Sequence, residues 1–144
     1  MNKEDILLRA KQWTLAPFDS STQKKTLALI NEDSPEFLDC FYTDLEFGTG
    51  GMRGKMGLGP NRINEYTISM ASQGLANYTK QEVPQSEWRV AIAFDSRNRS
   101  QEFAETTAKV FLANGFEVFL FEALRPTPML SFAVRELKCS TGVV

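Results

Sequence analysis

The sequence predicts an α/β fold: a three-layer α/β/α domain with a largely parallel mixed sheet, preceded by N-terminal helices. Three observations point there. From about residue 65 onward the patterns alternate as α-β-α-β-α-β, and such alternation means a parallel sheet with helices on both faces. The run 88–94 (W-R-V-A-I-A-F) is short and almost wholly apolar, which suits a strand covered on both sides. The first ~45 residues carry only helical periodicity, so they read as a helical preface.

Each element has its own signal. Residues 3–14 place Ile6, Leu7, Ala10 and Trp13 at helical spacing, and Pro17 breaks that helix. Asp19, Ser20 and Ser21 can cap a second helix that runs to about Ile30 and buries Leu27 and Ile30. Asn31-Glu32-Asp33 is a polar break. Ser34-Pro35-Glu36 then starts a short helix with proline at its first position, carrying Phe37, Leu38, Phe41 and Tyr42. Residues 54–64 alternate loosely around Gly59-Pro60-Asn61, and predict a short strand, a turn and a return. Asn64 caps a helix over 65–81 with an apolar stripe of Ile68, Ala71, Leu75 and Tyr78, while Ser72 and Gly74 permit close packing.

After the strand at 88–94 comes a polar loop, Asp95-Ser96-Arg97-Asn98-Arg99. Ser100 can cap the next helix, which carries Phe103, Ala104, Thr107, Ala108, Phe111 and Leu112. Asn114-Gly115 closes it as a left-handed cap. Residues 116–121 form a second apolar strand. Thr127 as N-cap and Pro128 at the first helical position start a last helix lined by Met129, Phe132, Ala133 and Leu137. Residues 140–144 begin a third strand. Because Gly142-Val143-Val144 reads as the middle of a buried strand rather than a frayed tail, the chain is expected to be part of a longer protein. The expected division is a helical extension over 1–46 and the α/β domain over 47–144.

Composition narrows the class. The chain has 144 residues, 42% hydrophobic and 24% charged, with net charge −2; these are globular values. A domain of this size buries roughly 68–70% of its unfolded surface. No global basic field argues for nucleic acid, and no basic amphipathic stretch argues for a membrane surface. No apolar run reaches the ~18–20 residues of a membrane span, and the N-terminus lacks an apolar signal core. Cys40 and Cys139 are isolated thiols, which fits a cytoplasmic setting. Histidine is absent, so Ser-His and Cys-His nucleophile activation within this chain is excluded, as is the commonest zinc ligand.

The chemistry concentrates at residues 47–59, F-G-T-G-G-M-R-G-K-M-G-L-G, which hold six of the nine glycines together with Thr49, Arg53 and Lys55, and Arg62 close behind. Glycine lets backbone N–H groups turn toward an anion, and arginine offers a planar fork that matches phosphate oxygens. Thr49, Gly50, Gly51, Arg53 and Lys55 are therefore candidates for phosphate contact. A plain hairpin connection is the competing reading. The run matches neither the Walker A spacing nor Gly-x-Gly-x-x-Gly. Asp95 and Arg97 follow the carboxyl end of a predicted parallel strand, where ligands gather in such sheets. They either pair locally or buttress a catalytic neighbour. Arg125-Pro126-Thr127-Pro128 is explained by helix initiation beside a solvated cation. The face with Glu102, Glu105 and Lys109 reads as solvated, and the aromatics from Phe103 to Phe121 read as core.

Taken together, these motifs resemble a known family. F-G-T-G-G-M-R-G-K-M-G-L-G-P-N-R-I-N looks like the N-terminal signature of the α-D-phosphohexomutases, in particular their longer phosphoglucomutase/phosphomannomutase and phosphopentomutase-like members. V-A-I-A-F-D-S-R resembles the family's strand ending in Asp-x-Arg. A-L-R-P-T-P-M-L resembles its Thr-Pro helix start, and K-C-S-T-G-V-V resembles the strand that runs into its phosphoserine loop. The four landmarks stand in the right order over residues 47–144. The resemblance implies an enzyme that interconverts sugar 1-phosphate and 6-phosphate through a phosphoserine and a bisphosphate intermediate. It also implies Mg2+ on the phosphoserine and on a later aspartate-rich loop, and a sugar bisphosphate activator.

Carried over by position, Arg53 stands beside the phosphoserine as the electrostatic contact, with Thr49 and Gly50 next to it and Asp95 and Arg97 in support. The family often has serine where this chain has Gly50. The serine nucleophile is expected after Val144, so Ser140 is not it, no metal ligand is expected among these residues, and the 144 residues alone are expected to be inactive. The sugar is not determined by this region. Two other readings stand beside it: a non-catalytic phosphosugar-binding α/β module, and a chain that self-associates through its open sheet edge.

Overall fold

The computed structural model describes residues 2–32 and 34–144; Asp33, within the expected polar break, lies outside them. The chain forms two compact units, Met1–Thr67 and Ile68–Val144.

In the first unit, α1 (Lys3–Gln12), α2 (Ser20–Glu32) and α3 (Pro35–Phe41) are followed by β1 (Phe47–Gly48) and β2 (Gly51–Met52). Their starts are fixed by side chains. Asn2 caps α1 in a reciprocal capping box with Asp5. The Asp19 carboxylate accepts from the Ser21 and Thr22 N–H groups at 2.8 and 3.1 Å, and Ser34 accepts from Phe37 N–H at 3.2 Å with Pro35 behind it. Ile6, Ala10 and Trp13 of the first segment bury against Phe37, Cys40 and Phe41 of α3. Trp13 stacks on Phe18 at 4.4 Å.

Two expectations fail in this unit. Leu27 is 53% exposed, and the buried residue of α2 is Thr26. Thr26 can be buried because its hydroxyl donates to the Thr22 carbonyl at 2.8 Å, and Leu29 and Ile30 supply the apolar contact to the core. Residues 54–64 form no strand pair either; only an isolated bridge joins Met56 and Ile63. The turn at Gly59-Pro60-Asn61 exists, but its polar groups go to the end of α3. Asn61 N–H donates to the Cys40 carbonyl at 3.1 Å and the Asn61 side chain to the Asp39 carbonyl at 2.8 Å. Gly59, at φ +102, has the Cys40 carbonyl oxygen 2.5 Å from where a Cβ would stand, so both its backbone and its packing require glycine.

The division between units falls in the first turn of α4 (Glu65–Glu82). Asn64 caps it as expected, its side-chain oxygen accepting from Tyr66 N–H at 3.1 Å and Thr67 N–H at 3.0 Å.

In the second unit, β3 (Arg89–Ile92) is central in a three-stranded sheet between β4 (Glu117–Leu120) and β5 (Thr141–Val143). Both pairings are parallel, with Ala91 opposite Phe119 and Gly142; antiparallel pairing is found in the β1–β2 hairpin. The strand's alternation sorts the core into two layers. Val90, Ile92 and Phe94 pack with Ala104, Ala108 and Phe111 of α5 (Ser100–Ala113) and with Phe116 and Ala76. Ala91 and Ala93 pack with Leu130 and Ala133 of α6 (Thr127–Glu136). The strand face under α6 is built of small residues, Ala91, Ala93 and Gly142, and a Cβ on Gly142 would lie 2.6 Å from a Val134 methyl, so the helix rides close to the sheet.

The end of α5 is a Schellman motif: Phe116 N–H donates to the Phe111 carbonyl at 3.1 Å and Gly115 N–H to the Leu112 carbonyl at 2.9 Å, with Gly115 at φ +84. The Phe111 and Phe116 rings meet edge to face at 5.0 Å, completing the motif's apolar contact. Asn114 ties this corner to α4. Its side-chain oxygen accepts from Gln73 and from Lys80 at 3.0 and 2.9 Å. Its amide donates to Gln73 and to the Val110 carbonyl at 2.8 and 2.9 Å.

Several side-chain expectations shift. In α4 the buried positions are Thr67, Ser72, Ala76 and Thr79, with Ser72 donating to the Thr107 hydroxyl at 3.1 Å, while Tyr78 is 60% exposed. In α6 the buried positions are Leu130 and Ala133, whereas Met129 and Phe132 are 44% and 59% exposed. In α4 the seam follows small residues that allow close approach, and in α6 it pairs Leu130 with the small Ala133. Ser100 is the first residue of α5 and not its cap; Arg99 precedes it in the left-handed region at φ 62. Thr127 is likewise the first residue of α6, with Pro126 at the cap. Leu112 is exposed, and Phe103, Phe119 and Phe121 are half-buried, leaving Phe111 and Phe116 as the buried members of that aromatic set.

Candidate functional site

Thr49 and Gly50 form the two-residue tip of the β1–β2 hairpin, since Phe47 pairs with Met52 and Gly48 with Gly51. Gly51, at φ +92, is the hairpin residue that needs positive φ; Thr49 and Gly50 do not share it. The primed two-residue turns are therefore excluded, and the bend relies on a left-handed glycine just after the tip. Thr49 and Gly50 are exposed and Gly51 half-buried. The hairpin reading and the glycine-rich reading of this run are thus the same object.

Arg53 and Lys55 follow directly, both exposed. Among the described residues neither side chain has a hydrogen-bond or ion-pair partner, in contrast to Arg9, Arg62, Arg89, Arg97 and Arg99. Arg53 folds back over the tip: a Cβ on Gly50 would stand 3.3 Å from its Nη2 and 4.0 Å from its Cζ. The tip of a bare hairpin and two unpaired cations can together accept an anionic oxygen, with Arg53 offering a planar fork and Lys55 a point charge.

Arg62, grouped with these cations in the sequence, does different work. Its side chain is 6% exposed and is bound to Asp39, Nη2 to Oδ2 at 2.5 Å. Nη1 also donates to the Asn61 carbonyl at 3.0 Å and the Asp39 carbonyl at 3.3 Å. It clamps the Gly59-Pro60-Asn61 turn onto α3 and is not available to a ligand.

In the second unit, Asp95 and Arg97 stand in the loop after β3. Asp95 Oδ1 accepts from Arg97 N–H at 3.0 Å and Oδ2 pairs with Arg97 Nε at 2.9 Å. Asp95 N–H donates to the Ser100 Oγ at 3.1 Å. The Arg97 backbone N–H, more than any other group, holds the Asp95 carboxyl below the usual carboxylate range, and the Ser100 hydroxyl and the Arg97 charge add to it. The local-pairing reading of these two residues is what the structure shows. They line a cleft of about 410 Å³ with Ser96, Arg99, Gln101 and Glu105. Arg125 is spent locally, its Nη1 donating to the Leu124 carbonyl at 2.8 Å.

The structure thus gathers Thr49, Gly50, Gly51, Arg53 and Lys55 around one hairpin, and Asp95 and Arg97 at the end of β3. Sequence reasoning missed Asp39 as the partner of Arg62, and Ser100 as the acceptor that ties down Asp95. Burial raises the Cys40 and Cys139 thiols above their ordinary pKa, which makes both unpaired thiols poor nucleophiles. Among the described residues, no group of three His, Cys, Asp or Glu side chains could hold a metal ion. No helix among them is long and apolar enough to cross a membrane.

Known proteins are similar to this chain in sequence. It is 42% identical over 104 residues to a phosphoglucomutase of Staphylococcus haemolyticus, covering 72% of this chain and 19% of that protein. It is 37% identical over 135 residues to a probable phosphoribomutase of Schizosaccharomyces pombe, covering 92% and 23%. It is 34% identical over 140 residues to a phosphopentomutase of Mus musculus, covering 92% and 22%. The chain spans about a fifth of the length of these relatives. No solved structure matches it. The profile of the family described as phosphoglucomutase/phosphomannomutase, alpha/beta/alpha domain I, matches residues 44–144. With the glycine hairpin, its two exposed cations and the parallel α/β layers already accounted for, the chain belongs to the phosphoglucomutase/phosphomannomutase family, whose domain I profile it matches.

Proposed function

We propose that this chain serves a mutase that moves a phosphoryl group between the 1- and 6-positions, or the equivalent positions, of a sugar phosphate through a phosphoserine and a sugar bisphosphate. The observation that carries the reading is the pair of cations, Arg53 and Lys55, that have no partner among the described residues and stand beside an exposed glycine hairpin. A transferred phosphoryl group spreads its charge over three oxygens, and the transition state is stabilised by fixed positive groups rather than by covalent help from the protein. Arg53 is the electrostatic contact to that charge. Lys55 adds a second positive group, and Thr49 and Gly50 leave the approach open.

Magnesium belongs to this reading as the counter-charge on the phosphoserine. The described residues offer no cluster that fits it, so it is assigned no ligand here and no step is routed through it. In this reading Ser140 is not the nucleophile, which agrees with its hydroxyl donating to the Arg89 carbonyl at 3.0 Å. We accordingly propose that the 144 residues alone do not convert glucose 1-phosphate to glucose 6-phosphate.

Titration with glucose 6-phosphate, followed by amide NMR, tests the reading. The Thr49, Gly50 and Arg53 amides should shift saturably, glucose should leave them unmoved, and Arg53→Gln should abolish the response. Equal responses to glucose and to its phosphate would sink it. Turnover of glucose 1-phosphate by this chain would refute the proposed inactivity.

A further inference from the structure

The Asp95–Arg97 pair has a geometry that a simple surface ion pair does not need. Both carboxylate oxygens of Asp95 are committed to the same residue, one to the backbone N–H of Arg97 at 3.0 Å and one to its Nε at 2.9 Å. Asp95 is itself tied through its own N–H to Ser100 at the start of α5. Arg97 is thus held at its backbone N–H and at Nε, yet the side chain is 88% exposed. The contact uses Nε alone. The Nη1 and Nη2 groups have no partner among the described residues. An Nε contact leaves the outer edge of the guanidinium free, and that edge is the one that binds two oxygens of an anion at once.

The surroundings sharpen this. The cleft that Arg97 lines measures about 410 Å³, within the range of small-ligand sites. Its other arginine, Arg99, is also held by Nε, on Glu102 at 2.5 Å, but its guanidinium lies over the Phe103 ring at 5.0 Å and its side chain is 47% exposed against 88% for Arg97, and Gln101 is engaged with Glu105 at 3.3 Å. An exposed arginine ordinarily loses rotamer entropy on binding, and a side chain already fixed at Nε has lost much of that before the ligand arrives.

We propose that Asp95 is a positioning residue that presents the Nη edge of Arg97 to an anionic oxygen of a phosphorylated ligand in this cleft. Asp95 itself does not touch the ligand, because its carboxylate repels an anionic oxygen. The phosphate class of the ligand rests on the proposed function; the presentation of Arg97 by Asp95 does not.

The test is a titration of the 144-residue chain with inorganic phosphate against chloride at matched ionic strength. It is read at the arginine Nε–H resonances and at the Ser96 and Gln101 amides. The Arg97 resonance should shift saturably together with that of Arg53. Asp95→Asn should weaken the Arg97 response roughly tenfold, the loss of one charge-assisted contact, and leave the Arg53 response unchanged. Arg97→Lys, at an exposed position that does not threaten folding, keeps the charge but lacks the fork; the Ser96 and Gln101 responses should fall about tenfold as well. An undiminished response in Asp95→Asn overturns the positioning role. An undiminished response in Arg97→Lys overturns the fork, and it does so even if Asp95→Asn does not fold. A response at Arg53 without one at Arg97 overturns the inference and leaves the proposed function standing, whereas silence at Arg53 strikes the proposed function itself.

Discussion

The guanidinium of Arg53 rests over Gly50, with Nη2 3.3 Å from where a Cβ at that glycine would be. The contact is tighter than ordinary van der Waals distance, so a methyl group there displaces the arginine by a few tenths of an ångström. Gly50 does not sit at positive φ, so alanine fits the backbone. Gly50→Ala should therefore weaken phosphate binding roughly two- to fivefold, the scale of one imperfect hydrogen bond. It should change stability by no more than about 0.5 kcal/mol. A phosphate titration and a urea melt of the same variant check the two halves separately.

Arg53 and Arg62 should respond oppositely to removal. Arg62 is buried against Asp39 and two carbonyls, while Asp39 is 47% exposed and can recover water. Arg62→Met should cost about 2–3 kcal/mol, below the range for a fully buried pair because of that solvation. Arg53→Gln should cost about 0.5 kcal/mol or less. Equal losses in urea denaturation would show that the two arginines have been assigned the wrong way round.

What the sequence revealed, and what it hid, divides along the same line. Caps at Asp19, Ser34 and Asn64 were legible because donor and acceptor lie within three residues of each other. The parallel layering was legible in the alternation around β3. The role of Arg62 was hidden because Asp39 lies 23 positions away, and nothing local announces the pair. The helix phases of α2, α4 and α6 were misjudged for a related reason. Apolar bulk is visible in a sequence, but the close approach made possible by Ala133, Ala76 and Gly142 depends on what faces them. At the candidate site, the residue types around Arg53 were readable, while Gly50 as its resting surface and Ser100 as the tether of Asp95 needed three dimensions.

Asp19 should leave a pH signature. Its carboxylate takes a hydrogen bond from the Thr22 hydroxyl at 2.5 Å and one from Tyr66 at 2.6 Å, besides capping α2. The Thr22 hydroxyl first, then Tyr66, pull its pKa well below the ordinary 3.8. A carboxyl depressed in the folded state stabilises above its unfolded pKa and loses that contribution as pH falls through the folded value. The melting-temperature gap between the unsubstituted chain and Asp19→Ala should thus hold steady down to roughly pH 4 and shrink below it. A gap that widens on acidification would contradict the assignment.

Gly142 is a packing glycine on β5. Gly142→Ala places a methyl 2.6 Å from Val134 on α6, and overpacking of this kind costs about 1–3 kcal/mol. Val134→Ala opens that space. The double variant should recover part of the loss from Gly142→Ala, giving a favourable coupling of about 0.5–1 kcal/mol in a double-mutant cycle. Strict additivity would mean that the clash is relieved elsewhere.

The bonds around Asn114 also govern how this protein ages. An asparagine followed by glycine is prone to deamidation, in which the glycine's backbone nitrogen attacks the asparagine's side-chain carbonyl, expels the amide nitrogen as ammonia and closes a succinimide ring. Here the Gly115 nitrogen is committed to the Leu112 carbonyl, and the Asn114 side chain is held by Gln73, Lys80 and the Val110 carbonyl. Nucleophile and electrophile are each fixed in a geometry that serves the helix end. The same bonds that close α5 therefore set a chemical clock, which runs slowly while the fold persists and at the rate of a free peptide once it opens.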